Sequence, residues 1–500
     1  MRIDISKSRY TLFRQCPKAL WLKIYKPELS VTSDALQQRF QAGSDVGDLA
    51  KGLFGKFVEV TTYSEDGKLD LTKMVVKTQK CIYSETDIIC EAAFRYDGDY
   101  CAVDILKKEG SGYVIYEVKS STDTDNEVYA QDVAYQKYIL THCGVEVTGT
   151  YLVCINSDYV LDGEIDIHKF FQIQDISEAV AQDYPLVEFQ VAIAKKMLAL
   201  KDVEPDEDLD VHCHKPYDCA FWLYCSRHLP ERSVFNLYRL NFDKKIAYYK
   251  QNIITFEQLQ DGELNEKQQM QIDCALNDTI YINKVEIAKF LSTLSYPLYF
   301  LDFETIQPVI PEFLGTHPYQ QIPFQYSLHY IEQEGGELKH KEFLGVSGED
   351  PRRTLAERLC ADIPLDVCTT AYNKVFECTR LTELADTFPD LSEHLLNIRD
   401  HIVDLLVPFQ SGWYYVPAMG GSFSIKSVLP ALFPNDPELD YHNLTGSVHN
   451  GSEAMSVFPK IKDMIIEEQV AARQSLLKYC ELDTFAMVKV WQKLKEVTEA

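Results

Sequence analysis

Two acidic residues, Asp302 and Glu304, lie two positions apart in the otherwise apolar stretch YFLDFET. Residues i and i+2 of a β-strand face the same side, so both carboxylates would project from one face while Phe303 points to the other. Burying two carboxylates is costly unless a cation neutralises them. The pattern therefore predicts a binding site for Mg²⁺ or Mn²⁺, hard cations that prefer carboxylate oxygens.

Further groups suited to such a site occur later in the chain. Tyr479 and Asp483, in LKYCELDTF, are four residues apart, a spacing that places both on one face of a helix. Glu377 follows a short apolar lead in TAYNKVFECTRL, and Asp404 ends the apolar run HIVDLL. Divalent metals held by carboxylates activate water and offset charge in phosphodiester hydrolysis. For Asp404, a structural aspartate at a strand end is an equal alternative.

A second acidic set includes a lysine. Glu117 and Lys119 alternate along the apolar run YVIYEVKS, and Asp104 lies in the preceding run, CAVDIL, across an EGSG turn. If the two strands pair, two carboxylates and one ammonium converge at a strand end. Carboxylates would bind the metal and the lysine would orient water or stabilise transition-state charge in metal-assisted phosphodiester cleavage. The alternative is three surface charges on a hairpin.

Four of the 14 cysteines form a separate pattern. Cys213, Cys219 and Cys225 lie at equal spacing in HCHKPYDCAFWLYC, and such close thiols in a reducing compartment predict a metal site rather than disulfides. A tetrahedral thiolate site needs a fourth ligand, for which Cys16 in RYTLFRQCPKALW is the candidate. Zinc is the alternative metal, with three histidines as alternative ligands: His212, His214 and His228.

Hydrophobic periodicity predicts the elements that position these groups, and their alternation predicts an α/β protein. Turn signals at YDGD and EGSG predict a β-meander within residues 85–156. Residues 233–290 are rich in helix formers and predict a helical connector. Helices are predicted over about 126–142, 175–202 and 464–497, and strands over 148–156 and 296–305.

The second acidic set, Asp104, Glu117 and Lys119, resembles in its sequence context the PD-(D/E)xK nuclease superfamily of RecB type. In that superfamily an Asp is followed by an ExK and then by a helix carrying QxxxY. Here Gln131 and Tyr135, in QDVAY, occupy the helix positions, and Gln136 competes with Gln131 for the role. The resemblance implies a restriction-endonuclease-like fold in which five residues are catalytic: Asp104, Glu117, Lys119, Gln131 and Tyr135.

The cysteines make the resemblance more specific. One early and three late cysteines around such a core look like the iron–sulfur RecB-like exonucleases, namely AddB and the CRISPR-associated RecB-like nucleases. The resemblance implies a 4Fe–4S cluster bound by Cys16, Cys213, Cys219 and Cys225. Two features differ from those families: the first gap between the late cysteines is longer, and the stretch AGSDVGDLAKGLFG (42–55) lacks the metal-binding histidine often found there.

The C-terminal pattern resembles the DEDD exonucleases, which have an RNase H-like fold and act with 3′→5′ polarity. Their motifs are DxE on the first strand, NxxF(D) midway and YxxxD on the last helix. Tyr479 matches the tyrosine-bearing branch, in which it would orient the attacking water, and Lys478 stands where the other branch has His. Glu377 replaces the usual Asp and is one methylene longer. The resemblance assigns divalent metal binding to four acids: Asp302, Glu304, Glu377 and Asp483.

Nearly the whole chain also looks like a bacterial family of unknown function that joins these two modules. The blocks that carry this resemblance are SKSRYTLFRQCPKALWL, EAAFRYDGDYCAVDIL and GGSFSIKSVLP. The predicted domains are a RecB-like nuclease domain over 1–232, a helical connector over 233–290 and an RNase H-like domain over 291–500. The function implied is a metal-dependent nuclease, with DNA as the expected substrate.

Charge and hydropathy bear on location and partners. The 500 residues carry a net charge of −27, which argues against broad contact with a polyanion. The first 30 residues, however, hold seven Lys or Arg against two acids, which predicts a local basic path for nucleic acid. No run of 18 apolar residues and no signal peptide is visible, so we expect a cytoplasmic protein without a membrane partner. Two alternatives remain: a nucleic-acid-binding or scaffold protein with one or both sites inactive, and an RNA exonuclease.

Overall fold

The structure, a computed structural model, describes residues 4–31, 43–123, 127–259 and 264–499. The chain forms two compact units, each of which mixes helices with a sheet of parallel and antiparallel strands. The first unit comprises Met1–His228 and Pro308–Gln320, and the second comprises Leu229–Gln307 and Gln321–Ala500. The mixed α/β class predicted from the sequence is therefore confirmed.

The first unit is built around a six-stranded sheet in the order β1-β2-β3-β4-β5-β6. Its strands are β1 (Val58–Glu59), β2 (Ile88–Tyr96), β3 (Asp99–Glu109), β4 (Gly112–Val118), β5 (Val147–Ile155) and β6 (Phe171–Asp175). Its helices are α1 (Lys7–Gln15), α2 (Pro17–Tyr25), α3 (43–50), α4 (Leu71–Tyr83), α5 (Glu127–His142), α6 (Ile167–Phe170), α7 (Ser177–Leu198) and α8 (Trp222–Cys225). Short 3₁₀ helices span Pro27–Leu29, Lys51–Phe54 and Val211–Cys213.

The β-meander predicted from the turns is present, since β2, β3 and β4 pair in antiparallel fashion. Strand β5 then pairs with β4 in parallel, and helix α5 makes the crossover between them. Helix α5 buries residues on nearly every face, from Val128 to Leu140, which is typical of a helix enclosed by the core. The predicted start of this helix, residue 126, lies outside the described residues, and its predicted end at His142 is confirmed.

Residues 308–320 are flanked in sequence by strands of the second unit but pack in the first. Val309 joins the hydrophobic cluster of the sheet face opposite α5, together with Val153 and Phe170. Backbone hydrogen bonds fix the segment, because Leu161 N–H donates to the Thr316 carbonyl at 2.9 Å. A single cut in the sequence therefore does not separate the two units.

The second unit is built around a five-stranded sheet in the order β10-β9-β8-β11-β12. Its strands are β7 (Tyr281–Ile282), β8 (Leu298–Ile306), β9 (Ile322–Ile331), β10 (Lys339–Leu344), β11 (Cys368–Ala371), β12 (Ile402–Asp404) and β13 (Tyr414–Tyr415). Its helices are α9 (Phe242–Lys250), α10 (Phe256–Leu259), α11 (Glu266–Asn277), α12 (Lys284–Leu291), α13 (Arg352–Asp362), α14 (Val375–Thr387), α15 (Ser392–Asp400), α16 (Val407–Gln410), α17 (Ile425–Leu432), α18 (Gly451–Val457) and α19 (Ile466–Glu499). Its 3₁₀ helices span Val234–Asn236, Pro417–Met419, Pro437–Leu439, Tyr441–Asn443 and Phe458–Asp463.

Strand β8 lies at the centre of this sheet. It pairs with β9 in antiparallel fashion and with β11 in parallel, and β11 pairs with β12 in parallel. Helix α19 packs across β8, β9 and β10, and its predicted bounds are confirmed to within two residues at each end. The predicted connector, 233–290, belongs to the second unit and contains a short strand, β7, as well as helices.

Four of the seven basic residues of the N-terminal segment are paired with acidic side chains of the same unit. Lys7, Arg14, Lys18 and Lys26 each form an ion pair with an acidic side chain, and Arg2 lies outside the described residues. The segment therefore offers less unpaired positive charge than its composition predicts. No helix in the described ranges is both long and apolar enough to cross a membrane.

Candidate active sites

Four acidic residues predicted from the sequence converge in the second unit. Asp302 and Glu304 lie on the central strand β8, Glu377 lies in the first turn of α14, and Asp483 lies midway along α19. Each of them acts electrostatically on at least one of the others. The alternation predicted for β8 is confirmed, because Phe303 points into the apolar cluster on the opposite face with Leu301.

These carboxylates are hard to ionise together. Burial, followed by the charges of Asp483 and its neighbours, raises the pKa of Asp302 and that of Glu304 well above the ordinary range. Burial also raises the pKa of Asp483 to about 6, although a hydrogen bond from Tyr441 opposes the rise. Like charges crowded in a low-dielectric site favour protonation unless a cation enters. The cluster therefore has the electrostatic properties of a cation site.

Glu377 carries the strongest single sign of an absent partner. Its side chain is 3% exposed, and its buried Oε2 has no hydrogen-bond partner. Burial, with a smaller effect of Asp404, raises the pKa of Glu377 to about 8. Buried polar atoms normally have a hydrogen-bond partner. A carboxylate oxygen that lacks one and lies beside other acids is therefore suited to bind a metal ion.

The ligand geometry agrees with this interpretation. Ligand atoms of Asp302, Glu304 and Cys480 lie within 4.8 Å of one another. The Cys480 thiol lies 3.9 Å from Oδ2 of Asp302, and burial raises its pKa well above the ordinary value. The thiol is thus protonated at neutral pH, and the carboxylates are the groups suited to bind Mg²⁺.

The sequence did not predict two neighbours of this cluster, the aromatic Tyr441 and the cationic Lys426. The Tyr441 hydroxyl donates to Oδ1 of Asp483 at 2.6 Å. The Lys426 ammonium lies 5.6 Å from the ring centroid of Tyr441 and 5.7 Å from that of Tyr479. Lys426 belongs to the block GGSFSIKSVLP, for which the sequence predicts no role, and no motif in the sequence marks Tyr441.

Tyr479 lies where the sequence predicts, on the same face of α19 as Asp483. Its phenol interacts with that carboxylate, and burial followed by the charge of Asp483 raises its pKa far above the ordinary value. Gly451, at the start of α18, borders both groups, because a Cβ there would lie 3.6 Å from Oε2 of Glu304 and 3.9 Å from the Tyr479 hydroxyl, in ordinary van der Waals contact. A larger side chain at Gly451 would enter the space between these groups.

Asp404 has a structural role at the edge of the cluster. Its carboxylate accepts backbone hydrogen bonds from Asn373 at 2.9 Å, Lys374 at 3.2 Å and Leu406 at 2.9 Å. These contacts hold the loop that leads into α14, where Asn373 has a positive φ of 69°. Asp404 therefore positions Glu377, in line with the alternative of a strand-end aspartate.

The first unit brings together Asp104, Glu117 and Lys119, as the sequence predicts. Asp104 lies on β3 and Glu117 on the paired strand β4, with Lys119 directly after it. Oδ2 of Asp104 accepts from the Val118 N–H at 2.7 Å, and Lys119 Nζ lies 2.8 Å from Oε1 of Glu117. The predicted pairing of the two strands is confirmed, and the three charges share one strand end.

Lys7 is an additional cation at this site that the sequence did not single out. Its Nζ lies 2.7 Å from Oε1 of Glu117, and Lys119 Nζ lies 2.8 Å from Oδ2 of Asp132. Although burial opposes it, the two ammonium groups lower the pKa of Glu117 to about 2. By contrast, burial and the charge of Glu117 raise the pKa of Asp104 to about 7. The two carboxylates therefore differ sharply in charge at neutral pH.

The glutamine that contacts this site is Gln136, the alternative to Gln131. Gln136 Nε2 donates to Oε2 of Glu117 at 2.7 Å. Residues five apart on a helix differ by about 140° in direction, so Gln131 and Gln136 point to different faces. Tyr135 donates to the Ile5 carbonyl at 2.6 Å and stacks on Tyr10, which fixes the segment before Lys7 rather than reaching the carboxylates.

Four predicted cysteines line one small cavity of the first unit: Cys16, Cys213, Cys219 and Cys225. Cys16 lies at the junction of α1 and α2, and Gln15 Nε2 ties that junction to the carbonyls of His212 and Tyr217 at 2.8 and 2.7 Å. Burial, with smaller effects of Cys219 and Cys213, raises the pKa of Cys16 to about 12. The distant parts of the sequence thus meet as predicted.

The positions of the four thiols and of three nearby histidines determine which side chains could bind a metal in this cavity. Tetrahedral zinc with Zn–S bonds of about 2.3 Å would place its sulfur ligands about 3.8 Å apart. In the described residues, no three of these cysteines offer sulfurs within 4.8 Å of one another. His212 lines the cavity, whereas the rings of His214 and His228 contact Asp218 and the Cys225 carbonyl. The cavity thus offers four cysteines and His212 as candidate ligands.

Comparisons with known proteins give a family match without an activity. Residues 299–424 match a domain of unknown function (DUF2779). The match contains Asp302, Glu304 and Glu377 and ends before α19. The chain is also similar to the uncharacterized protein UU173 of Ureaplasma parvum serovar 3, with 27% identity over 245 residues. That alignment covers 45% of this chain and 34% of the relative, so the chain matches about a third of the relative's length.

Proposed function

We propose that this protein is a metal-dependent nuclease whose principal hydrolytic centre is the acid cluster of the second unit. The observation that carries the proposal is the convergence of four carboxylates from β8, α14 and α19 with an orphaned oxygen on Glu377. Buried acids that cannot ionise together favour a bound cation as their partner. The sequence motifs DxE, NxxF(E) and YxxxD support the DEDD exonuclease reaction, with 3′→5′ removal of nucleotides.

The sheet of the second unit supports an RNase H-like fold. Numbered within the sheet, its strands run in the order 3-2-1-4-5, with the second strand antiparallel to its neighbours. That is the order expected of the RNase H-like architecture. In the first unit, the meander β2-β3-β4 followed by α5 and the parallel strand β5 supports a PD-(D/E)xK fold in the same way. The two folds are part of the proposal.

Asp302, Glu304, Glu377 and Asp483 would hold the divalent metal. When bound, Mg²⁺ or Mn²⁺ supplies positive charge at the phosphate and lowers the pKa of water. Tyr479 remains a neutral donor, because burial and the surrounding acids raise its pKa. Its hydroxyl would therefore orient a water or phosphate oxygen by hydrogen bonding rather than take a proton. The exposed Lys426 would contact the substrate phosphate.

The first unit is the weaker hydrolytic candidate. Both oxygens of Glu117 are engaged, Oε1 by Lys7 and Lys119 and Oε2 by Gln136. A metal would have to displace an ammonium group from Glu117 before that carboxylate could act as a ligand. This observation favours the second candidate function for this unit, nucleic-acid binding with an inactive or gated site.

The four cysteines of the first unit would bind a 4Fe–4S cluster. Support comes from the single cavity that all four cysteines line. Cys16 lies near the start of the chain and the other three lie beyond α7, so the cluster would tie both ends of the unit together. Its proposed role is structural, and the expected location of the protein is the cytoplasm.

A substrate and metal panel tests the proposal. The protein is purified anaerobically and incubated with end-labelled single- and double-stranded DNA and RNA, with Mg²⁺, Mn²⁺ or EDTA. We expect metal-dependent shortening of DNA from the 3′ end that disappears in Asp302→Asn and persists in Asp386→Asn, an exposed acid of the same unit. Preferential shortening of RNA would favour the RNA exonuclease alternative. Equal activity in Asp302→Asn and the wild type would refute the proposed centre.

A further inference from the structure

A second group of potential metal ligands lies on the outer strands of the same sheet and serves no step of the proposed reaction. Ligand atoms of His329, His340 and Glu481 lie within 4.8 Å of one another. His329 on β9 and His340 on β10 are directly opposed across the antiparallel pair, and their ring centroids are 4.5 Å apart. Glu481 approaches from α19, with its carboxylate 4.0 Å from Nδ1 of His340. Three separate elements therefore supply the group.

Hydrogen bonds through two hydroxyl groups determine which nitrogen of each imidazole donates. Thr484 Oγ1 contacts the Glu481 carbonyl at 3.1 Å, and a carbonyl only accepts, so the threonine proton is used there. Ser327 must then donate to Thr484 across 2.7 Å, and His329 must donate to Thr484 through Nδ1 across 2.7 Å. With its proton used, Ser327 accepts from Nε2 of His340 at 2.9 Å.

When both imidazoles are neutral, their remaining nitrogens carry the lone pairs. These nitrogens are Nε2 of His329 and Nδ1 of His340, and Nδ1 of His340 is the atom that faces Glu481. In metal-binding histidines, the N–H of the second ring nitrogen usually donates to a neighbouring group that fixes the tautomer. Here Thr484 accepts that hydrogen bond from His329, and Ser327 accepts it from His340. Burial keeps His329 neutral, since it lowers the pKa of that imidazole to about 3.

We propose that His329, His340 and Glu481 form a binding site for a divalent transition metal, with Zn²⁺ as the best match. Two imidazoles and one carboxylate suit zinc and similar ions, whereas Mg²⁺ prefers oxygen ligands alone. Solvent exposure increases from the buried His329 through the half-buried His340 to the exposed Glu481. The exposed side leaves room for a water ligand. The ion would link β9 and β10 to α19. The proposal is independent of the nuclease reaction.

Equilibrium metal binding tests the site. The full-length protein is stripped with a chelator, and Zn²⁺ affinity is measured by competition with a chromophoric chelator. We expect His340→Gln and Glu481→Gln to bind one equivalent fewer than the wild type and than His168→Gln, an exposed histidine of the other unit. Thr484→Val should retain the equivalent with affinity reduced by roughly 10- to 100-fold, as expected for loss of an orienting hydrogen bond.

Cobalt substitution separates this site from the cysteines and from the acid cluster. The equivalent lost in His340→Gln should show weak visible bands without the thiolate charge-transfer absorption that cysteine ligation adds. Asp302→Asn should keep that equivalent, and circular dichroism should show both ligand variants folded. Unchanged zinc stoichiometry and affinity in His340→Gln, or loss of the same equivalent in Asp302→Asn, would overturn the proposal.

Discussion

Replacement of Glu377 with glutamine is expected to stabilise the metal-free protein at alkaline pH. Burial raises the pKa of Glu377 from 4.5 to about 8. The unfolded chain releases this proton near pH 4.5, whereas the folded protein holds it until about pH 8. A raised carboxyl pKa therefore makes the wild type lose stability as the pH rises through this window. Glutamine does not ionise, so the variant escapes this loss.

The size of the effect follows from the shift of about 3.5, the difference between 4.5 and 8. At about 1.4 kcal/mol per pKa unit, the loss is roughly 5 kcal/mol above pH 8 and about 2 kcal/mol at pH 6. The amide introduced by Glu377→Gln would inherit an unpaired polar atom, which costs roughly 1–3 kcal/mol. At pH 8 the folded-state carboxyl is half ionised and the loss is about 4 kcal/mol, so the expected net gain is about 1–3 kcal/mol, or roughly 3–12 °C in melting temperature.

Thermal unfolding in EDTA at pH 5, 6, 7 and 8 measures this prediction, with the exposed Glu393→Gln on α15 as the matched control. The melting temperature of Glu377→Gln should rise above that of the wild type as the pH increases, while the control follows the wild type. Added Mn²⁺ should stabilise the wild type more than Glu377→Gln at pH 8. Equal melting temperatures of Glu377→Gln and wild type at every pH would show that the Glu377 carboxyl does not carry a raised pKa in the folded protein.

The remaining predictions concern the first unit. Lys7→Met removes one of two ammonium groups at Glu117 and should raise the pKa of that carboxyl from about 2, as read by NMR titration; an unchanged pKa would show that Lys119 suffices. Any residual nuclease activity of the first unit, assayed with the second centre disabled, should fall in Gln136→Leu and persist in Gln131→Leu; the opposite order would contradict the observed contact. The anaerobically purified wild type should be brown, and Cys219→Ser should lack iron. Colourless wild-type protein with stoichiometric zinc would exclude the cluster.

The sequence predicts those site residues whose spacing is local. Asp302 and Glu304 alternate on one strand, and Tyr479 and Asp483 share one helical face, so periodicity alone places each pair. The DxE strand and the last helix could be joined only through family resemblance, because nothing local encodes their contact. The structure supplies that contact through the packing of α19 on β8.

Contacts between distant segments escape such reasoning. Lys7 reaches Glu117 from 110 residues away, and Tyr441 reaches Asp483 across a loop with no periodic pattern. Gln136 and Gln131 lie on one helix, and only the rotation of α5 against the sheet decides which of them meets Glu117. The sequence also does not predict that residues 308–320 pack in the first unit, since this turn-rich segment has no pattern that indicates its packing partner.

The most direct test of the central claim is single-turnover hydrolysis of a 5′-labelled DNA strand by Lys119→Ala, in which the first unit is disabled and the acid cluster is intact. We expect a Mn²⁺-dependent ladder of products shortened one nucleotide at a time, at a rate close to that of the wild type. Asp302→Asn should yield no ladder. Hydrolysis that is lost in Lys119→Ala and retained in Asp302→Asn would contradict the assignment of the principal centre to the second unit.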